Sequence, residues 1–152
     1  METLLGGCAC GKVRFEISSL PIAIFLCHCR DCQRSSGAPY AANVWFSSND
    51  VALNCEPAGH SCTSDKGTHS IHEFCPECGS PIGMRVLEND YFRGIRGAAF
   101  DNPLSLPPDA SIFMRNAASW EVFAEDLPTF EEDVPEEFAR RVIAPRLAQM
   151  TR

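Results

Sequence analysis

The sequence predicts a mainly β fold in a single domain, with one or two short helices. Its 152 residues match the usual length of one domain and are enough to bury a hydrophobic core. Eleven prolines and ten glycines indicate frequent turns between short elements, which argues against a long helical bundle. Apolar residues make up 45% of the chain and charged residues 22%, which is typical of a soluble globular protein rather than a disordered one.

Short runs of alternating, β-branched or aromatic residues predict the strands. Residues 13–17 alternate between apolar and polar side chains, as in a strand with one buried face. Residues 22–26 form a continuous apolar run, which indicates a strand buried on both faces. Further strands are predicted at 40–46, 68–74, 82–87, 91–95 and 112–115, and two short strands within 51–64.

Two segments favour helix. Residues 29–36 tolerate a helix, and Gly37 followed by Pro39 ends it. Residues 136–143 predict a second short helix, which Pro145 ends or kinks because proline has no backbone N–H to donate.

Charge and hydropathy exclude several classes of partner. The formal net charge of −7 argues against binding to nucleic acid or to an anionic membrane surface, because both need a basic face on the protein. The longest apolar run, residues 20–27, is far shorter than the roughly 20 residues that a membrane helix requires. No basic segment precedes an apolar one at the N-terminus, so we expect no signal peptide and a cytoplasmic location.

The nine cysteines are the most informative feature of the composition. An odd number of cysteines without a secretion signal fits a disulfide framework poorly. Seven of them fall in three tight clusters, and neighbouring thiolates converge easily on one metal ion. Ligand softness and spacing favour zinc, with an iron–sulfur cluster or a redox dithiol as alternatives. The clusters are Cys8-Ala-Cys10, Cys27-His-Cys29-Arg-Asp-Cys32 and Cys75-Pro-Glu-Cys78.

The Cys-Pro-Glu-Cys turn supplies half of a four-cysteine site, and two other pairs can complete it. If Cys29 and Cys32 complete the site with this turn, the result is a zinc ribbon. Cys8 and Cys10 would instead leave Cys27, Cys29 and Cys32 together as a compact trio. The second grouping gives one closed site and one open site, which are the coordination patterns of structural and catalytic zinc respectively. Spacing favours this second grouping.

Other residues near the clusters are candidates for weaker roles. Arg30 and Arg34 are spaced i, i+4 on the predicted helix, so they either hold an anionic substrate or remain two solvated arginines. His28 is expected to pack or to form a hydrogen bond rather than to bind metal. Cys55 and Cys62 are expected to be small buried side chains or idle thiols, with a redox role as the alternative.

Four segments form a distinctive set of motifs: Gly7-Cys8-Ala-Cys10-Gly11-Lys-Val13-Arg-Phe15, Cys27-His-Cys29-Arg-Asp-Cys32, Gly37-Ala-Pro and Phe74-Cys75-Pro-Glu-Cys78-Gly79. With residues 97–103, Trp120 and residues 126–128, they resemble the glutathione-dependent formaldehyde-activating enzyme family, whose zinc domain also occurs in centromere protein V. The resemblance covers residues 3–132, which we predict to be one zinc domain. Residues 133–152, beyond this domain, are predicted to form a C-terminal helical tail.

The resemblance implies several small antiparallel sheets around two cysteine–zinc sites. It implies a structural zinc at Cys8, Cys10, Cys75 and Cys78, and a catalytic zinc at Cys27, Cys29 and Cys32. The family reaction joins glutathione and formaldehyde into S-(hydroxymethyl)glutathione, and its reverse breaks a carbon–sulfur bond.

These observations lead to one principal hypothesis and two alternatives. The principal one is a zinc-dependent carbon–sulfur lyase or synthase that acts on a small thiol adduct and uses Arg30 or Arg34 to hold a substrate carboxylate. The alternatives are a non-catalytic zinc-binding interaction module and a thiol-redox or metal-responsive protein. The negative net charge disfavours a nucleic-acid form of the interaction module, and thiolates would make that charge more negative.

Overall fold

The computed structural model describes residues 3–64, 66–102 and 105–150, and it confirms a mainly β domain. The strands within these ranges are β1 (Leu4–Gly7), β2 (Arg14–Ile17), β3 (Ala23–Cys27), β4 (Ala41–Ser47), β5 (Val51–Leu53), β6 (Ala58–Thr63), β7 (His69–Phe74), β8 (Pro81–Val86), β9 (Asn89–Arg96) and β10 (Ala110–Ile112). The helical segments are α1 (Arg30–Ser36), α2 (Glu136–Phe138), a π-helical segment (Ala139–Ile143) and α3 (Ala144–Met150), with 3-10 turns at Ser48–Asp50, Gly97–Ala99 and Met114–Asn116.

The strands form two sheets rather than several small ones. A sheet of three strands has the order β1-β2-β5, and a sheet of seven strands has the order β10-β3-β4-β9-β8-β7-β6. The strand pairs within the described ranges are antiparallel except that β10 runs parallel to β3. A parallel pair needs a long connection, and here most of the large sheet lies between the two strands in sequence.

The main hydrophobic core fills the space between the two sheets. Phe15 and Ile17 of β2 are inaccessible or nearly so, and they share a buried cluster with Val44 and Phe46 of β4. The rings of Phe15 and Phe100 meet edge to face, with centroids 5.3 Å apart, which is a favourable aromatic geometry. The predicted alternation of residues 13–17 therefore directs the apolar side chains into this core.

Most predicted strands lie within one or two residues of the observed ones, but the structure differs at two places. It adds β1 at the N-terminus, where two glycines conceal any strand pattern. The prediction of a strand at residues 112–115 is wrong beyond Ile112. There Phe113 takes a left-handed conformation, with φ 57°, and the chain enters a 3-10 turn. Tertiary hydrogen bonds hold this bend, since the amide of Phe113 donates to the carbonyl of Glu132 at 2.8 Å.

The helix α1 begins and ends as the sequence predicts. Cys29 caps its N-terminus by accepting a hydrogen bond at Sγ from the amide of Cys32, and Gly37 ends it in the left-handed region at φ 66°. The helix is short, so its position depends on these caps and on packing against β4.

The C-terminal tail is helical and continues past residue 143, so of the two outcomes predicted for Pro145, an end or a kink, the helix does not end there. Helical turns continue from Glu136 to Met150, and the π-helical segment directly precedes Pro145. A wider turn relieves the clash between a proline ring and the preceding carbonyl groups, so the helix widens just before Pro145 and continues. Residues 151 and 152 of the predicted tail lie outside the described residues.

Two contacts fix the tail to the domain. Phe138 is buried in a second apolar cluster with β3, and its ring meets that of Phe130 edge to face at 5.2 Å. Arg146 donates two hydrogen bonds of 2.8 Å to the carboxylate of Asp109. None of the helices in the described ranges is both long and apolar enough to cross a membrane.

The burial of Phe15 in the core predicts a large effect of its loss on the free energy of unfolding. Replacing Phe15 with alanine should lower the free energy of unfolding by about 3–5 kcal/mol, because it removes a fully buried ring and leaves a cavity. Tyr91→Ala is the control, since Tyr91 is 77% exposed and its loss should change stability by less than about 0.5 kcal/mol. Urea unfolding of both variants measures the difference, and equal losses would contradict the assignment of the core.

Candidate metal centres

Four cysteines meet where the loop after β1 approaches the turn between β7 and β8. The sulfur atoms of Cys8, Cys10, Cys75 and Cys78 all lie within 4.8 Å of one another. The Cys8–Cys10 sulfur distance is 3.5 Å and the Cys10–Cys75 distance is 3.7 Å. A zinc ion with Zn–S bonds of about 2.3 Å in a tetrahedral site sets sulfurs about 3.8 Å apart. The four-sulfur cluster therefore fits zinc in both donor type and spacing.

Local backbone geometry turns these sulfurs inward. Gly11 and Gly79 follow the two cysteine pairs and have φ values of 79° and 75°, which side-chain-bearing residues rarely adopt. The amide of Gly79 donates to the carbonyl of Cys75 at 2.9 Å, which closes the Cys-Pro-Glu-Cys turn. The amide of Val13 donates to Sγ of Cys8 at 3.2 Å, a contact that favours the thiolate.

Cys78 lies on the exposed side of the four-sulfur cluster. Its sulfur is 3.2 Å from the hydroxyl oxygen of Ser80. Hydrogen bonds from this hydroxyl and from backbone amides lower the pKa of Cys78 to about 5. A thiol that ionises this readily is already in the form that binds metal.

The other three clustered cysteines meet at the end of β3 and the start of α1. The sulfurs of Cys27, Cys29 and Cys32 lie within 4.8 Å of one another. Cys27 and Cys32 are buried, whereas Cys29 is only half-buried, so the three-sulfur cluster is accessible from the Cys29 side. Three sulfurs leave one position of a tetrahedral zinc site for another ligand, as in catalytic zinc sites.

A buried arginine supports the three-sulfur cluster. Arg96, the last residue of β9, is 4% exposed, and its Nη1 lies 3.9 Å from Sγ of Cys32. The side-chain amide of Asn43 donates to the same sulfur at 3.5 Å. Hydrogen bonds from Cys27 and Cys29, together with the Arg96 charge and the Asn43 amide, lower the pKa of Cys32 to about 2. The same contacts among the sulfurs raise the pKa of Cys27.

Sequence reasoning missed Arg96 because it lies far along the chain from the cysteines. Its remaining contacts are the side chains of Asn43, Ser35 and His72, with 2.9 Å to Ser35 Oγ and 2.7 Å to His72 Nδ1. The one available signal was an arginine directly after the strand predicted at residues 91–95. A buried cation there needs anionic or polar partners, and the thiolates are the anions nearby.

His28 turns away from the sulfurs that flank it in sequence. It is fully buried, and its Nδ1 lies 3.2 Å from the carbonyl oxygen of Leu26 and 3.3 Å from that of Ile112. Its Nε2 lies 3.0 Å from a carboxylate oxygen of Glu121. His28 thus ties the cysteine-bearing segment to β10 and to the loop that carries Glu121.

The two arginines predicted from sequence have different surroundings. Arg30 is exposed, and its guanidinium donates to the side chain of Gln33. Arg34 lines a cavity of about 390 Å³ between α1 and the hairpin of β6 and β7, which we call the α1 cavity. Arg30 does not line it.

The remaining cysteines join neither cluster. Cys55 is half-buried and faces the carbonyl of Lys12 at 3.5 Å. Cys62 lies 3.2 Å from the hydroxyl of Ser70 and lines the α1 cavity. The structure also separates the two pairs of the alternative zinc ribbon, because Cys29 and Cys32 lie in the three-sulfur cluster and the Cys-Pro-Glu-Cys turn lies in the other.

Comparisons with known proteins bear on the family and the fold. The sequence model of the family described as glutathione-dependent formaldehyde-activating enzyme matches residues 3–116, about three quarters of the chain. A crystal structure of a Rhodobacter sphaeroides protein has a similar fold, with a TM-score of 0.51 and 21% identity over 66% of this chain and 91% of that one. No curated protein matches the sequence significantly.

Loss of a ligand from the four-sulfur cluster should destabilise the domain. Cys78→Ser should lower the melting temperature by about 10 °C or more and reduce bound zinc from two ions to one per chain, because structural zinc supplies folding free energy. Cys55→Ser, a cysteine outside both clusters, should keep two zinc ions and a nearly unchanged melting temperature.

Elemental analysis and thermal melts of protein purified without chelator measure both effects. A chain in which Cys27, Cys29 and Cys32 are all replaced by serine should retain one zinc ion. Two zinc ions in that triple variant would contradict metal binding at the three-sulfur cluster.

Proposed function

Because the chain belongs to the glutathione-dependent formaldehyde-activating enzyme family, we propose that it is a zinc-dependent carbon–sulfur lyase or synthase acting on a small thiol adduct. The specific reaction proposed is the joining of glutathione and formaldehyde, or its reverse. The observation that carries this proposal is the three-sulfur cluster, which is accessible on one side and adjoins a buried cation. A purely structural site would be closed by a fourth protein ligand.

Each cluster receives a separate role in the proposal. The four-sulfur cluster would hold a structural zinc that joins the N-terminal loop to the β7–β8 turn. Cys27, Cys29 and Cys32 would hold the catalytic zinc. When bound there, zinc supplies a Lewis acid that favours the thiolate form of a substrate sulfur.

The proposed reaction needs no further co-reactant. The substrate thiol loses its proton, and its sulfur lone pair forms a bond to the aldehyde carbon. The π bond of the aldehyde breaks, and its oxygen takes up one proton to give the hydroxymethyl thioether. In the reverse direction the hydroxyl loses its proton, the carbon–sulfur bond breaks, and the sulfur regains a proton.

Residues of this chain prepare the site for that chemistry. Arg96 and Asn43 direct N–H groups at Sγ of Cys32 and hold it as a thiolate. Burial of Cys27 and Cys32 restricts water on one side, and the half-buried Cys29 marks the side open to substrate. His28 fixes the spacing of the cysteine segment through its contacts with backbone carbonyls and Glu121.

The free state of the cysteines supports a reducing location for this activity. All nine cysteines are unpaired, including those that lie close together in the two clusters. Disulfides form in oxidising compartments, whereas cytosolic thiols remain reduced. We therefore keep the cytoplasm as the proposed location.

The roles proposed for the two clusters predict that loss of activity and loss of stability occur in different variants. Cys32→Ser should reduce catalysis of S-(hydroxymethyl)glutathione exchange by at least about 100-fold, because it removes a ligand of the catalytic metal. Its melting temperature should fall much less than that of Cys78→Ser. NMR exchange spectroscopy on glutathione and formaldehyde measures the rate, with Cys55→Ser as the active control. Full activity in Cys32→Ser would refute the proposed catalytic site.

A further inference from the structure

The strand β6 forms an unprotected edge of the large sheet. It pairs with β7 on one side, and no strand of the described ranges pairs with its other side. The opposite edge of the sheet is covered, because the chain at Thr129 runs beside Ser111 of β10. Proteins usually protect a sheet edge with charged side chains, proline or a bulge. The β6 segment Ala58-Gly-His-Ser-Cys-Thr63 has no Lys, Arg, Asp, Glu or Pro, and its pairing with β7 has no bulge.

The register of the β6–β7 hairpin shows which backbone groups of β6 point away from β7. The amide of Ser64 donates to the carbonyl of Thr68 at 2.9 Å, so these residues form a hydrogen-bonded pair. Such pairs recur at every second residue of an antiparallel ladder, so the even-numbered residues of β6 direct their amides and carbonyls at β7. The carbonyl of His69 fits this alternation, because it accepts from the amide of Leu87 on the other side of β7.

The odd-numbered residues of β6 therefore leave backbone groups at the edge. Gly59, Ser61 and Thr63 direct three amides and three carbonyls outward, and all three residues are exposed. None of the described residues donates to these carbonyls or accepts from these amides. Water satisfies such groups in a single copy, but a row of them is also a template for another strand.

A second copy of β6 matches this template completely. When two β6 strands run antiparallel with Ser61 opposite Ser61 of the partner subunit, Gly59 lies opposite the partner subunit's Thr63. Each facing pair then joins residues whose amides and carbonyls point outward, so each pair forms two hydrogen bonds. The three pairs use every outward amide and carbonyl of both strands, whereas a register shifted by two residues would lose one pair.

The side chains of β6 also suit this pairing. Gly59 has no side chain, and Ile71 of β7 covers it, since Cγ2 of Ile71 lies 2.5 Å from the position that a Cβ would take. Ile71 is only half-buried, so it offers apolar surface to the methyl group of the partner subunit's Thr63. On the other face, His60 would lie opposite Cys62 of the partner subunit, and in each copy both of these residues line the α1 cavity.

We propose that β6 is the contact surface for a second copy of this chain, with two β6 strands paired antiparallel about Ser61. The large sheets would then form one continuous sheet with seven strands from each copy. A two-fold axis perpendicular to the sheet would relate the copies, so both α1 cavities would lie on the same face. The partner subunit's Cys62 would extend the rim of each cavity beside His60. This pairing does not depend on the proposed reaction.

Sedimentation velocity over a range of protein concentrations measures the association. Pairing of a single strand buries little surface, so we expect a monomer–dimer equilibrium with a dissociation constant in the micromolar range. Ser61→Pro removes one outward amide from each copy, and proline is tolerated on an edge strand where the N–H faces solvent. It should weaken association about 10-fold or more, because two hydrogen bonds are lost. Ser61→Ala keeps the amide and is the matched control, which should associate like the wild type.

A second variant leaves the backbone of β6 unchanged. Ser61→Lys would place two lysines directly opposite each other across the two-fold axis, where like charges oppose strand pairing. It should also weaken association, and high salt should restore part of the loss by screening the repulsion. Below the dissociation constant of the wild type, both variants should match the melting temperature and zinc content of the wild type, because the substitutions lie at an exposed edge.

Amide hydrogen exchange tests the register. The amides of Gly59, Ser61 and Thr63 should exchange fast in dilute protein and slow down as the protein concentration rises. Those of His60 and Cys62 should exchange slowly at every concentration, because they donate to β7. A wild type that remains monomeric at millimolar concentration would overturn the inference. So would a dimer that persists unchanged in Ser61→Pro and Ser61→Lys, or one in which the three outward amides still exchange fast.

Discussion

The convergence of Cys8 and Cys10 with Cys75 and Cys78 is the constraint on which the rest of the structure depends. The first pair follows β1 in the small sheet, and the second pair joins β7 to β8 in the large sheet. Four sulfurs within 4.8 Å of one another therefore join the small sheet to the β7–β8 turn of the large sheet at one point. Four thiolates at such distances would repel one another strongly, and a bound cation would offset that repulsion. The cluster thus adds a second link between the two sheets beside the hydrophobic core that packs them together.

The large sheet then determines the second cluster. Antiparallel pairing of β4 with β9 sets Asn43 opposite Arg96, and pairing of β3 with β4 places Cys27 at the same end of the sheet. Arg96 consequently reaches the first turn of α1, where it contacts Cys32. A buried guanidinium is costly unless it is paired, and a buried thiolate is costly for the same reason. Each group therefore lowers the cost of burying the other.

The two clusters differ in the number of sulfurs that they offer to a metal ion. Four sulfurs on tight turns leave no position for another ligand, whereas three sulfurs at the start of a helix leave one. The cavity beside the three-sulfur cluster has arginine and histidine side chains on its walls.

The sequence by itself determined what depends on short-range spacing. Cysteines two or three residues apart can meet on one ion whatever the rest of the chain does, so the clusters were visible before the fold. Alternating residues at 13–17 and the glycine after α1 are equally local signals, and the structure contains the corresponding strand and helix end. The tertiary structure decided which distant groups meet. Arg96 contacts Cys32 across 64 residues of chain through strand register, and Phe113 bends where tertiary hydrogen bonds hold it. Arg34, and not Arg30, lines the cavity, because the packing of α1 against β4 decides which face of the helix meets the cavity.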